Sequence, residues 1–263
     1  MVLIAYGLLG LPLAAATLPL YVHIPNYYAV DLGLGLAAVG GIMFLMRLWD
    51  VVTDPLVGVL SDRIVGRYGR RRLWVGLGIP VAMVGGWMIF RPPVGADILY
   101  LGIAGLILHL GWTMVILPYQ AWGAELSRDY NTRNRIAAAR EMFVIAGTLV
   151  AGGLVALAAT PADRGHALGL VGVFLAIGLP LAVLPLFWKV PDPVIVGPVK
   201  TVSWRQGLSV MTGNRPFRRL LLAWVLNGIA NALPATLFLL FVENIVGAPQ
   251  QSGLFLLTYF LVA

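Results

Sequence analysis

Apolar runs of about 20 residues alternate with short polar intervals along the whole chain, each long enough as a helix to cross roughly 30 Å of hydrocarbon. The pattern predicts spans at residues 3–25, 36–60, 73–91, 97–119, 136–159, 167–188 and 218–242, with an eighth run starting near Gly253. Such long unbroken runs are not those of an outer-membrane barrel. The longest polar interval, with Pro191, Pro193 and Pro198, separates six spans from the rest. The expected organisation is therefore a six-helix half at 1–188, a central cytoplasmic loop at 189–217 and an incomplete second half at 218–263. The eighth run reaches only about 16 Å as a helix, so the chain is expected to be the front portion of a longer protein, with the missing C-terminal half as its partner.

Composition agrees with the pattern. Apolar residues make up 60% of the chain and charged ones 11%, with a mean hydropathy of +0.89. Soluble domains carry roughly a quarter charged residues, so this composition is that of an integral, all-α membrane protein. The net charge of +7 raises nucleic acid as a partner, but its distribution argues against it. Arg63, Arg67, Arg70, Arg71 and Arg72 follow span two, while Arg128, Arg133 and Arg135 follow span four. Lys189, Lys200, Arg205, Arg215, Arg218 and Arg219 follow span six. By the positive-inside rule, the amino terminus and the even-numbered loops are cytoplasmic, and the expected location is the plasma (inner) membrane, crossed several times. Anionic lipid headgroups are a secondary attraction. The first run has no basic n-region and is read as a retained helix rather than a signal peptide. The chain has no cysteine, which excludes disulfides and thiol catalysis.

One span breaks the apolar rule. Arg47, Asp50 and Asp54 lie on one face of the second helix with Thr53 on its flank, and a charge at mid-membrane costs roughly 3 kcal/mol or more. Counted from the cytoplasmic end, Asp54 sits about 9 Å deep and Asp50 about 15 Å. Two ionised carboxylates against one arginine leave a local charge that one monovalent cation neutralises. Carboxylate and hydroxyl oxygens suit Na⁺ at Asp50 and Asp54 or, by sharing a proton, H⁺. The alternative is a buried Arg47–Asp50 pair that fixes helix packing, with Asp54 hydrated near the interface. Just downstream, Asp62 and Arg63 close the helix and Arg70 to Arg72 follow a short loop. Forked guanidinium donors there suit charge-assisted bonds that latch one conformation, a cytoplasmic gate; for the three arginines a plain positive-inside cluster is an equal alternative.

The string Arg47-x-x-Asp50-x-x-x-Asp54-Pro55-x-x-Gly58, followed by Ser61-Asp62-Arg63 and Gly69-Arg70-Arg71-Arg72-x-Trp74, resembles the glycoside-pentoside-hexuronide:cation symporters, the melibiose permease group of the major facilitator superfamily. A second block agrees, from Pro118-Tyr119 through Trp122, Glu125, Asp129 and Arg133 to Arg140. Tyr6-Gly7 and Tyr27-Tyr28-x-x-Asp31 supply a third. The resemblance covers about residues 6 to 150. It implies a major facilitator fold and a cation site on Asp50, Thr53, Asp54 and Thr113, with Thr53 where melibiose permease has asparagine. For the sugar site the match is partial. Its two carboxylates fall on Ala14 and Ile116 and its stacking tryptophan on Gln120, while its arginine is kept as Arg140. Loss of both acids argues against a galactoside.

Candidate solute contacts are thus Arg140, Tyr119, Gln120 and Trp112; the alternative for the aromatics is core packing. His109 and His23 read as interhelical bonding residues or as proton relays, and Asn227 and Asn231 as a polar face of the seventh span. Glu125, Asp129, Arg133 and Arg135 are expected to complete the gate begun by Asp62, Arg63 and Arg70. The leading expectation is a cation-coupled (Na⁺ or H⁺) secondary transporter working by alternating access on a sugar, glycoside or related small solute, with no cofactor beyond the coupling ion. A symporter of a lipid-like or other amphipathic solute, or an inactive fragment that partners such a transporter, is the alternative. An enzyme is not expected. Asp50 and Asp54 share one helix, unlike an intramembrane aspartyl dyad, and phosphate-loop and zinc patterns are absent from the sequence.

Overall fold

The computed structural model describes residues 1–63, 69–156, 163–192 and 204–247, with 251, 254–255 and 258. The end of the expected fifth span, residues 193–203 of the central loop, Arg67, most of the eighth run and the side chains of Arg205 and Asn231 lie outside the described residues. The chain divides into two compact units, Met1–Pro193 with Gln250–Ala263, and Val194–Pro249.

The first unit is a bundle of helices: α1 (Val2–Gly7), α2 (Gly10–Asn26), α3 (Leu36–Arg63), α4 (Arg70–Phe90), α5 (Ile98–Glu125), α6 (Tyr130–Ala156) and α7 (Arg164–Lys189). Among the described residues, six membrane-length helical segments are apolar enough to cross a bilayer; α1, α2 and the π-helical turn Tyr27–Asp31 together form the first. Pro12 explains the break between α1 and α2. It has no N–H for the Leu8 carbonyl, which instead accepts from the Leu11 N–H at 3.2 Å in a tighter turn.

Several helices run past their apolar stretches. The fourth span, expected to end at 119, continues as α5 to Glu125, and the fifth starts at Tyr130 rather than 136. Local caps fix the starts. Asp97 Oδ1 accepts from the Tyr100 N–H at 2.8 Å, and Asp129 Oδ2 accepts from the Thr132 N–H and hydroxyl at 2.7 and 2.8 Å.

The α4–α5 seam depends on glycine. A Cβ on Gly111 would lie 2.3 Å from the Ala82 nitrogen, and one on Gly85 would lie 2.3 Å from the Leu108 nitrogen, so the two backbones approach as only small residues allow. Leu108, Ala82, Val75 and Val115 fill that seam, and Leu175 and Leu179 of α7 extend the core. Helix α3 runs parallel to α5, with Met46 seated on Gly105. Away from the arginine-rich end, Arg164 at the start of α7 pairs with Asp31 at 3.0 Å.

The second unit contains α8 (Trp204–Gly213) and α9 (Arg215–Phe241), closed by a π-helical turn at Val242–Val246. Asn214 Oδ1 accepts from the Phe217 N–H at 3.2 Å and caps α9, with Pro216 in the first turn where its missing N–H costs nothing.

Candidate functional site

The polar stripe of α3 faces α5 across a cavity of about 150 Å³ lined by Arg47, Asp50, Asp54, His109, Trp112 and Thr113, among others. Two interhelical rungs cross it at the same sequence separation of 59. His109 Nδ1 lies 2.9 Å from each Asp50 oxygen, and the Thr113 hydroxyl donates to Asp54 Oδ1 at 2.7 Å. Both helices carry their polar groups four residues apart, and because they run parallel, rung follows rung one turn along.

Arg47 joins from its own helix. Its guanidinium lies 3.5 Å from Asp50 Oδ2 and 4.5 Å from the Tyr21 ring centroid, a cation–π contact that holds the charge beside the acid. The Arg47 side chain is 55% exposed and that of Asp50 only 19%, so the carboxylate is the more enclosed partner. Thr53 corrects the sequence reading of the stripe. Its hydroxyl donates to the Trp49 carbonyl of its own helix at 3.1 Å, the usual back-bond of a mid-helix threonine, and it does not line the cavity. Among the described residues, no group of three or more His, Asp or Glu side chains converges as a metal centre.

A second cluster gathers at the arginine-rich ends of the same helices. Asp62 of α3 lies 2.8 Å from Arg71 and 3.6 Å from Arg70, and Glu125 of α5 lies 2.7 Å from Arg70 and also binds Arg71. Ser61 accepts from Arg71 at 3.2 Å. The three arginines expected in a loop occupy the first turn of α4, where the helix dipole disfavours cations; the acids of the neighbouring helices offset that cost. Asp192, just after α7, presses its carboxylate onto Gly69 and bonds the backbone N–H groups of Arg70 and Arg71. A side chain at Gly69 would meet that carboxylate, and its φ of +106° is one that glycine tolerates. Burial raises the Asp192 carboxyl above its ordinary pKa, against the lowering pull of those N–H groups. The Trp122 indole donates to the Pro191 carbonyl at 2.8 Å, and Arg72 donates to the Val190 carbonyl at 2.7 Å.

Three expected gate residues are used otherwise. Asp129 caps α6, and its bonds to Thr132 hold its carboxyl below the usual range. Arg133 donates to the Ala124 carbonyl at 3.0 Å, bridging the turn into α6. Arg63 is exposed and makes no ion pair among the described residues.

Of the expected solute contacts, Trp112 lines the cavity and Gln120 is exposed one turn beyond Ile116. Arg140 pairs with its neighbour Glu141 and lies against the Tyr6 hydroxyl. Tyr119 takes the core-packing alternative. It is fully buried and stacked on Tyr6 with ring centroids 4.6 Å apart, each hydroxyl donating to the other residue's carbonyl at 3.0 and 2.7 Å. With its face and its hydroxyl both engaged, it joins span one to span four rather than meeting a solute.

The sequence profile of the family described as MFS/sugar transport protein matches residues 3–263. The chain belongs to this family. An inner membrane symporter of Escherichia coli (strain K12) is 25% identical over 238 residues, covering 89% of this chain and 52% of the relative. An uncharacterized symporter of Synechocystis sp. is 32% identical over 169 residues, covering 60% and 30%. A sodium-dependent lysophosphatidylcholine symporter, 1-A of Danio rerio, is 26% identical over 245 residues, covering 78% and 46%. The chain spans about half the length, or less, of these curated relatives.

The chain is therefore a multi-pass, all-α membrane protein of a glycoside-pentoside-hexuronide symporter-like group, a family of transporters rather than enzymes. Two features of its site were missed by reading one helix at a time. The His109–Asp50 bond had a sequence signal, since His109 and Thr113 repeat the four-residue interval of Asp50 and Asp54. The reciprocal tyrosine bonds had none, because nothing local in the sequence brings Tyr6 and Tyr119 together.

Proposed function

We propose that this chain carries the ion-binding bundle of a cation-coupled secondary transporter that works by alternating access, with its amino terminus and arginine-rich helix ends on the cytoplasmic side of the plasma membrane. The observation that carries the reading is the pair of polar rungs between α3 and α5, inside spans otherwise built for lipid. Asp54 and Thr113 supply the oxygens, with Asp50 one turn away, and the coupling ion is Na⁺ or H⁺. The Asp62–Arg70–Arg71–Glu125 cluster holds the cytoplasmic ends of spans two, three and four as one body for the rocking motion.

The solute is a sugar, glycoside or related small molecule. Trp112 offers a ring face to it, and Arg140 and Gln120 offer polar contacts one to two turns towards the arginine-rich end. A lipid-like solute is the second reading. It is supported by Ile116 and Leu108 in the cavity wall, by Ala14 at the other position where the resembling family has an acid, and by the lysophosphatidylcholine symporter among the relatives.

The test is uptake of labelled glycosides, uronides and lysolipids into proteoliposomes with and without a Na⁺ or pH gradient. The chain is reconstituted alone and beside a polypeptide supplying the further length its relatives have. Asp54→Asn is expected to abolish the gradient dependence; unchanged coupling in that variant would sink the reading.

A further inference from the structure

The two rungs of the site are not equivalent. Asp54 meets Thr113, whose hydroxyl donates to one carboxylate oxygen at 2.7 Å and as a hydroxyl still has acceptor capacity; both residues line the cavity, so the pair remains an oxygen site. Asp50 meets a nitrogen. His109 Nδ1 sits 2.9 Å from both carboxylate oxygens at once, and because an ionised carboxylate only accepts, the bond assigns the imidazole its Nδ1–H tautomer; Arg47 approaches Oδ2 at 3.5 Å. His109 is itself buried at 8% exposure, on the helix whose backbone is pressed against α4 two residues further on, at Gly111. The imidazole is thus held in place, and both Asp50 oxygens already have a partner. A hard monovalent cation needs several oxygens around it and gains most from anionic ones. An oxygen that accepts a hydrogen bond from a fixed donor has less electron density to give a cation, and the donor hydrogen occupies the space the ion would fill.

We infer that His109 is a specificity-determining residue of the cation site: it withholds Asp50 from the ion, leaves Asp54 and Thr113 as the principal ligands, and thereby sets the affinity for Na⁺. This rests on the cation-site reading above and deepens it. The stripe then divides its labour along one helix. Asp54 faces the ion, while Asp50 anchors α3 to α5 through His109 and neutralises Arg47. Sequence pattern alone treats the two acids as a matched pair; the nitrogen on one and the hydroxyl on the other separate them.

The test is equilibrium binding of radiolabelled Na⁺ to the purified protein in detergent, with size-exclusion profile and helix content as checks of folding. His109→Ala frees Asp50 and is expected to raise Na⁺ affinity about tenfold, the scale on which partners of a ligand group act at ion sites, here with the sign reversed because His109 competes with the ion for Asp50 instead of orienting it. Adding Asp50→Asn to that variant is expected to erase the gain. His109→Asn, whose side-chain amide places an N–H donor near the Nδ1 position, is expected to stay near the starting affinity. If His109→Ala does not fold, His109→Ser carries the same expectation of higher affinity. Na⁺ affinity unchanged or lowered in a folded His109→Ala, while Asp54→Asn still abolishes binding, overturns the inference and leaves the cation-site reading standing. Absence of Na⁺ binding from the unsubstituted protein and from His109→Ala alike overturns the inference, and Na⁺ binding kept in Asp54→Asn overturns the cation-site reading and the inference with it.

Discussion

Helices α3 and α5 carry two charged clusters, one near mid-span and one at the arginine-rich end, and the same residue chemistry is used in opposite ways. At the end, Asp62 and Glu125 face Arg70 and Arg71, so charge balances charge, and the two guanidinium groups are only 10% and 5% exposed. At mid-span, Asp50 and Asp54 face one arginine that is itself 55% exposed, a histidine and a hydroxyl, beside an open cavity. A cluster that satisfies itself holds helices together. A cluster left one positive charge short, inside a membrane span, is a place for an ion.

Both clusters lean on α5, and the largest effect is expected there. Gly111→Val places a branched side chain on the Ala82 backbone and is expected to cost about 3 kcal/mol, the upper range for overpacking, lowering the thermal unfolding midpoint and disrupting both clusters. Next is the end cluster alone. Glu125→Gln leaves two buried guanidinium groups with Asp62 as their one carboxylate partner among the described residues. It is expected to cost about 2 kcal/mol, somewhat under the figure for a fully orphaned buried charge, while the Na⁺ affinity of the remaining folded protein stays within about twofold. Thr113→Val should do the reverse. Losing one hydrogen bond costs about 1 kcal/mol of stability in the same melting experiment, whereas Na⁺ binding falls well beyond what that loss of folded protein explains. Equal losses of stability and binding in both variants would erase the distinction between the clusters.

The smallest effect is local and set by pH. The Thr132 bonds hold the Asp129 carboxyl below its ordinary pKa, so its cap on α6 is fully present above the usual carboxylate range and is lost as pH falls through the lowered value. Amide hydrogen exchange in the first turn of α6 should therefore gain protection as pH rises through that window, after correction for the intrinsic rate. Asp129→Ala should abolish the dependence while leaving both clusters intact.

The spans were legible because hydrocarbon admits few exceptions, and Asp50 and Asp54 stood out for the same reason. What periodicity does not contain is the neighbour. The face of α3 follows from 100° per residue, but the identity of α5 as the helix opposite it, and its parallel register, come from the packing of Ile42 on Gly102 and Met46 on Gly105. Arg70 to Arg72 precede the apolar run that begins at 73, so hydropathy leaves them outside the span; their helical placement depends on Asp62, Glu125 and Asp192, which arrive from three other segments and offset the cost of cations at a helix start. Asp129 illustrates the opposite fault. Its spacing to Thr132 before a helix is a local capping signal, and the cap rather than the charge is what the structure uses. Thr53 lay on the flank of the stripe as the wheel placed it, yet its hydroxyl had a nearer acceptor in its own backbone.

The even spacing of the two rungs has one further consequence. A ladder that repeats every four residues does not by itself say which rung belongs where. Sliding α3 by one turn, about 6 Å, would bring Asp54 opposite His109 and still leave a carboxylate bonded to a partner. The shifted setting keeps one rung of the two, so at mid-span the native alignment is favoured by the single rung that the shift removes. Asp62 removes that ambiguity, because its bonds to Arg70 and Arg71 have no copy one turn away, and the end cluster works as the key that admits a single alignment of the site.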